Sequence, residues 1–192
     1  MTKWDIKPSL EDEAADAFDW ARRFVAGRDA KLKSVYATWH PRNSYNGYCR
    51  YPKGAGYATI RLRVPEYYPK TIQLRLRPLY RNPDGSWPPL PPGARRGEAV
   101  SAYTNLRTGK RELYFVPSRV IHFAKPEDYR LEREWYRLLG GIQVQSASEA
   151  VVWIFAHEAY HYLTKFKLIT GRNAEIEADA FANAELEKWR QR

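Results

Sequence analysis

The sequence predicts an α+β fold: one domain with a helix near its start, a mostly antiparallel β-sheet in the middle and two packed helices at its end. Three observations carry this. Apolar residues recur at helical spacing over residues 9–26, alternate with polar ones at 60–64 and 72–76, and form a nearly uncharged helical run over 150–163. The length of 192 residues suits a single core.

Each element follows from local pattern. Ser9 is the expected cap of the first helix, Leu10, Ala14, Ala17, Phe18, Ala21 and Val25 its buried stripe, and Gly27 its end. Between 31 and 123 the period is two, and connections too short for crossover helices imply antiparallel pairing. Residues 78–93 contain six prolines and read as a loop, and residues 106–110 as a turn between strands at 100–104 and 112–116. Pro126 is expected to open a helix bearing Leu131, Trp135, Leu138 and Leu139, stopped by Gly140 and Gly141. Ser146 and Glu149 then form a capping-box pattern, and Asn173 is the expected cap of a closing helix with Ile176, Ala180 and Ala184 on one stripe. The division is thus a basic β-rich part, 31–125, and a helical part, 126–192.

Composition narrows the function classes. No apolar run reaches the roughly 20 residues of a membrane-spanning helix, and the acidic opening MTKWDIKPSLEDEAAD is unlike an export signal. Cys49 is the only cysteine, which excludes an intrachain disulfide and a thiolate zinc cluster and favours a reducing cytoplasm. The net charge of +10 is concentrated in residues 31–130, with 19 basic against 6 acidic side chains, which suggests nucleic acid or an acidic protein as a partner. Arg61 and Arg63 alternate with apolar residues on one predicted strand, Arg75 and Arg77 on the next. A hairpin across 65–70 would bring the four onto one face, with Tyr57, Tyr67 and Tyr68 near it.

Residues 157–161 read HEAYH. Histidines four apart share a helix face, so His157 and His161 can bind one metal ion while Glu158 stands beside it. At this His and Glu content an HExxH is expected by chance about 0.006 times, so the match is informative. A third ligand must come from elsewhere. His40 and His122 precede the motif in the β-rich part, whereas Glu175, Glu177 and Asp179 lie on a helix that a short turn folds back. Glu175 and Asp179 share a face, so one carboxylate can bind the ion and the other can accept the second ring N–H of a histidine.

HEAYH followed by EIEADAFANAEL resembles the HExxH and ExxxD pair of gluzincin metallopeptidases, and EADAFA is similar to the ImmA/IrrE-like and HtpX-like families. The resemblance covers residues 146–188. It implies a zincin-like fold, one Zn²⁺ bound by His157, His161 and Glu175, Glu158 as general base and acid, Asp179 as the carboxylate behind a ligand, and a peptide or protein substrate. Only 13 residues separate His161 from Glu175, so the first helix must end near Leu163 or Thr164; a longer helix would bring Glu177 or Asp179 level with the ion. Tyr103, Tyr114, Tyr136 and His122 are candidate oxyanion donors, and strand 112–116 a candidate edge for substrate pairing. The basic region ahead of the motif is also similar to SprT-like proteases, which use a third histidine that this chain lacks downstream. Two further expectations follow: a nucleic-acid-binding protein on this scaffold, or a protease acting on nucleic-acid-bound proteins.

Overall fold

A computed structural model describes residues 1–116, 125–172 and 174–192, and over these the chain forms two four-stranded sheets and four α-helices, the expected α+β class. They divide into two compact units, Met1–Ile72 with Ile142–Arg192, and Gln73–Gly141. Asn173, the expected cap of the closing helix, and His122 lie outside the described residues.

The first unit opens on a short strand, β1 (Lys3–Ile6), followed by α1 (Pro8–Glu13) and α2 (Ala15–Val25). The single helix expected over 9–26 is interrupted at Ala14, whose φ of −128° and ψ of 32° are not helical. Its start also differs. Pro8 takes the first turn, where its missing N–H costs nothing, Lys7 is the cap, and Ser9 lies within the helix, its hydroxyl accepting from Trp39 Nε1 at 3.1 Å. Gly27 follows α2 with φ +74°, the left-handed conformation that favours glycine.

Strands β2 (Leu32–Trp39), β3 (Asn46–Arg50) and β4 (Ala58–Val64) complete a sheet in the order β1-β2-β4-β3. β1, β2 and β4 run parallel, and β3 runs antiparallel along β4 as an edge. This sheet is therefore mixed. Short connections do not enforce antiparallel pairing here, because α1 and α2 make the crossover from β1 to β2, and β3 itself is the return path from β2 to β4. The inner face presents Val35, Ala37, Ile60 and Leu62, each at most 3 % exposed.

Against that face packs α3 (Ala147–Lys165), with α2 on another side and α4 (Glu175–Arg190) on a third. Such a helix has no polar stripe, which explains its apolar sequence. Phe155 meets Trp4, Trp20 and Phe24 at ring separations of 5.8, 6.0 and 6.2 Å. The first half of the capping box forms as expected, Ser146 Oγ accepting from Glu149 N, but Glu149 Oε2 reaches one residue further back and accepts from Gln145 N at 2.9 Å. Arg190 at the end of α4 forks onto the same carboxylate, Nε 3.1 Å and Nη2 2.6 Å away.

Burial raises the Glu149 pKa, but the Arg190 hydrogen bonds and the Gln145 N–H outweigh it and hold the group below its ordinary 4.5. A carboxyl with a lowered folded-state pKa stabilises the fold above its unfolded value, and that contribution disappears as pH falls through the lowered one. Arg190→Ala is therefore expected to destabilise by about 1 kcal/mol at pH 7, a charged hydrogen bond discounted for partial exposure. In thermal melts the gap between variant and parent should close as the pH is taken below about 4.5; a gap independent of pH would contradict this account.

The second unit holds most of the other sheet: β5 (Lys70–Tyr80), β6 (Arg95–Asn105), β7 (Arg111–Val116) and β8 (Tyr129–Val144), in the order β5-β8-β6-β7. β6 runs antiparallel to both neighbours, and its turn to β7 falls at 106–110 as expected, with Gly109 at φ +67°. Val100, Ala102 and Leu138 supply its buried side chains together with Leu74 and Leu79. Three expectations are corrected. The helix from Pro126 is a single 3-10 turn, Pro126–Asp128, followed by the long strand β8, so the helical part begins at Ala147. Gly140 is not a helix stop but a strand position onto which Leu76 packs, its Cδ1 only 3.1 Å from where a Cβ would be. Pro78 lies within β5, tolerated because β5 is an edge strand.

The arginine hairpin is not formed. β4 pairs with β2 and β3, whereas β5 pairs with β8. Arg61 and Arg63 therefore belong to the first sheet, and Arg75 and Arg77 to the second. Alternation identified both strands but carried no information about their partners.

Candidate metal centre

The centre is built by α3, α4 and the turn between them. α3 ends at Lys165, one residue beyond the expected end, and it is still Glu175 rather than Glu177 or Asp179 that comes level with both histidines. Lys167 takes the left-handed conformation, φ +57°, so that Leu168 N donates to Leu163 O at 2.8 Å and Lys167 N to Thr164 O at 3.1 Å. This paired closure reverses the chain within a few residues. Glu177 fixes the rest of the turn, its Oε2 accepting from Tyr160 Oη and from Arg172 N, both at 2.8 Å. Trp153 Nε1 donates to Asn183 Oδ1 at 2.7 Å farther along the helix pair.

As a result Glu175, the first residue of α4, lies over the two histidines. His157 Nε2 and His161 Nε2 are 3.2 Å apart. Glu175 Oε2 is 3.5 Å from the first and Oε1 3.5 Å from the second. These three residues form a group that could hold a metal ion. A four-coordinate ion about 2.0–2.1 Å from each donor needs donor atoms about 3.3–3.4 Å apart, close to the imidazole–imidazole separation and to the approach of each carboxylate oxygen to its own histidine. The alternatives for the third position separate as well: Glu177 is held by Tyr160 and Arg172, and Asp179 is engaged behind the histidine.

Asp179 Oδ1 lies 2.9 Å from His157 Nδ1, both groups being buried. The contact is short, although off the ring N–H axis. It favours the tautomer with a proton on Nδ1 and leaves Nε2 bare towards the centre. Burial draws the His157 pKa down, but the Asp179 contact and the charges of Glu158, Asp179 and Glu175 prevail and raise it. Trp153 stacks on the same ring at 5.3 Å, restricting its rotation.

Glu158 is 5 % exposed. Burial pushes its carboxyl up to about 7; the His157 charge and the Cys49 backbone N–H oppose the shift and the Glu175 charge adds to it. Room for this carboxylate comes from Gly47 on β3. A Cβ there would lie 2.6 Å from Glu158 Oε1 and 2.8 Å from Ile154 Cγ2, so only glycine allows strand and carboxylate to approach this closely.

The centre opens into a cleft of about 310 Å³, lined by Gly47, Tyr48, Cys49 and Tyr51 together with His157, Glu158, His161 and Glu175. Burial pushes the Cys49 thiol up to about 12, against a hydrogen bond from Tyr51, so the thiol is neutral. The Tyr51 hydroxyl is buried against that thiol, and burial raises its pKa, keeping it a neutral donor. Sequence reasoning missed this wall. NGYCR has no apolar alternation to flag it as a strand, and its inward residues are a glycine and a cysteine. Tyr103, Tyr114 and Tyr136 belong to the other unit, where Tyr114 donates to Glu112 at 2.5 Å. No helix is long and apolar enough to cross a membrane among the described residues. Comparison with protein-family profiles, curated proteins and solved structures gives no match to this chain.

Proposed function

We propose that the chain is a zinc-dependent peptidase of the gluzincin type, active in a reducing cytoplasm. The observation that carries the reading is the convergence of two imidazoles and a carboxylate at coordination spacing, in an open cleft that also contains a buried glutamate. His157, His161 and Glu175 would hold the ion, with Asp179 fixing the His157 ring. What a bound Zn²⁺ supplies is a water with pKa lowered towards about 7 and polarisation of the substrate carbonyl.

Glu158 would take a proton from the attacking water onto its carboxylate and return it to the departing amine; its raised pKa suits a group that must both accept and give a proton near neutrality. Tyr51 donates a hydrogen bond to the developing oxyanion. β3, an edge strand, pairs with the extended substrate along its open side. The role expected of strand 112–116 therefore passes to β3, which lines the cleft.

Metal analysis combined with digestion of denatured casein tests this. The purified chain should carry about one ion, lose cleavage with a chelator and regain it with Zn²⁺. A metal-loaded chain that leaves denatured casein intact would refute the proposal. Gly47→Ala probes the fit of Glu158. A methyl group there must displace the carboxylate, and a displacement of about 1 Å can cost about 10²-fold in kcat, with metal content and KM unchanged. Full turnover in that variant would show that the approach of β3 does not position the base.

A further inference from the structure

The strand that lines the metal cleft also shows a second surface. Side chains alternate across a sheet, so while Gly47 and Cys49 point towards α3, Asn46, Tyr48 and Arg50 belong to the opposite face. The register gives that face three rows across the sheet: Lys3, Ser34, Thr59 and Arg50; Asp5, Tyr36, Arg61 and Tyr48; Thr38, Arg63 and Asn46. Lys3, Arg50, Arg61 and Arg63 are all at least partly exposed, and Asp5 is the one acidic side chain in these rows. In the middle row the Arg61 guanidinium lies 5.5 Å from the ring centroids of both Tyr36 and Tyr48. A hollow of about 410 Å³ opens at the first row between Arg50, Tyr51, Pro52 and Thr59.

We infer that this outer face binds single-stranded nucleic acid, with the cations on the phosphates and the Tyr36–Arg61–Tyr48 row stacking on bases. Aromatic and guanidinium planes interleaved with positive charge suit exposed bases on a polyanion; an acidic peptide would use the charge and gain nothing from the rings. Four strands spaced about 4.8 Å apart span about 14 Å, more than the roughly 12 Å of a major groove, so the face does not fit into that groove to read bases, whereas a single strand leaves its bases exposed for stacking. The inference does not rest on the hydrolytic reading, and its test needs neither metal nor turnover.

Fluorescence anisotropy of the full chain with labelled oligothymidylate and oligouridylate of about 15 nucleotides, a duplex of the same length and polyglutamate is the experiment. Single strands of either sugar should bind at least about tenfold more tightly than duplex or polyglutamate, and more weakly as salt rises. Tyr36→Ala should weaken binding at least about fivefold, while Tyr36→Phe, which keeps the ring, stays within about twofold. Thr59→Glu, which adds an acid beside Arg50, should also weaken it and serves if Tyr36→Ala fails to fold. Arg75→Ala with Arg77→Ala, in the other sheet, is the control for unspecific charge and should stay within about twofold. Equal affinity for polyglutamate or duplex, no loss in a folded Tyr36→Ala and in Thr59→Glu, or an equal loss in the control would overturn the inference.

Discussion

Glu158→Gln is expected to keep its metal and lose peptide hydrolysis by about 10²–10⁴-fold in kcat, the range supplied by a positioned general base. The amide fills the same space beside Gly47 but cannot accept the proton of the attacking water. Stability should move the other way. In the metal-free chain the Glu158 pKa is raised from 4.5 to about 7 by burial, so ionisation opposes folding: the penalty is absent below about 4.5, grows as pH rises and is complete above about 7. The glutamine variant should therefore be more stable than the parent at pH 8, by about 1–3 kcal/mol as an upper range. Atomic absorption, casein digestion and metal-free melts at pH 5 and pH 8 check the three parts. Undiminished digestion would remove Glu158 from the reaction, and a stability gain equal at both pH values would remove burial as the cause.

Glu175→Ala is expected to lower metal content to well below one ion per chain and to abolish turnover with it. Fold stability should hardly change, because the Glu175 side chain is 52 % exposed and surface truncations cost within about 0.5 kcal/mol. Asp179→Asn should be milder. It touches a ligand rather than an ion, and such changes lower metal affinity about 10–100-fold. Equilibrium dialysis against Zn²⁺ separates the two, and unchanged stoichiometry in Glu175→Ala would transfer the third position to another residue.

What the sequence disclosed was local. HExxH, the Ser146–Glu149 box and the Glu175–Asp179 spacing concern residues within one or two helical turns, and periodicity carries such information. The structure brings together the histidines and Glu175 because the turn is short, which chain length alone made visible. Pairing was not visible. β4 and β5 both alternate, yet their partners lie in different sheets, and strand register depends on residues far away in the chain. Tyr129–Val144 was misread because Leu131, Trp135 and Leu138 fit a helical stripe, although only Leu138 and Val144 of the strand are buried. The pairing of β8 with β6 and β5 overrode that local pattern.

The third carboxylate belongs to the opening residue of α4, and Ala174 before it offers no side-chain cap. A helix unravels with least effort at its ends, so Glu175 can swing aside at the very start of α4, ahead of the pinned Glu177, while the histidines, held in the middle of α3, stay in place. Exchange of an ion held by such a group would then depend on end-fraying, and a substitution that tightened residue 174, such as Ala174→Ser, should slow metal release, as read by stopped-flow mixing of the Zn²⁺-loaded chain with a chelator.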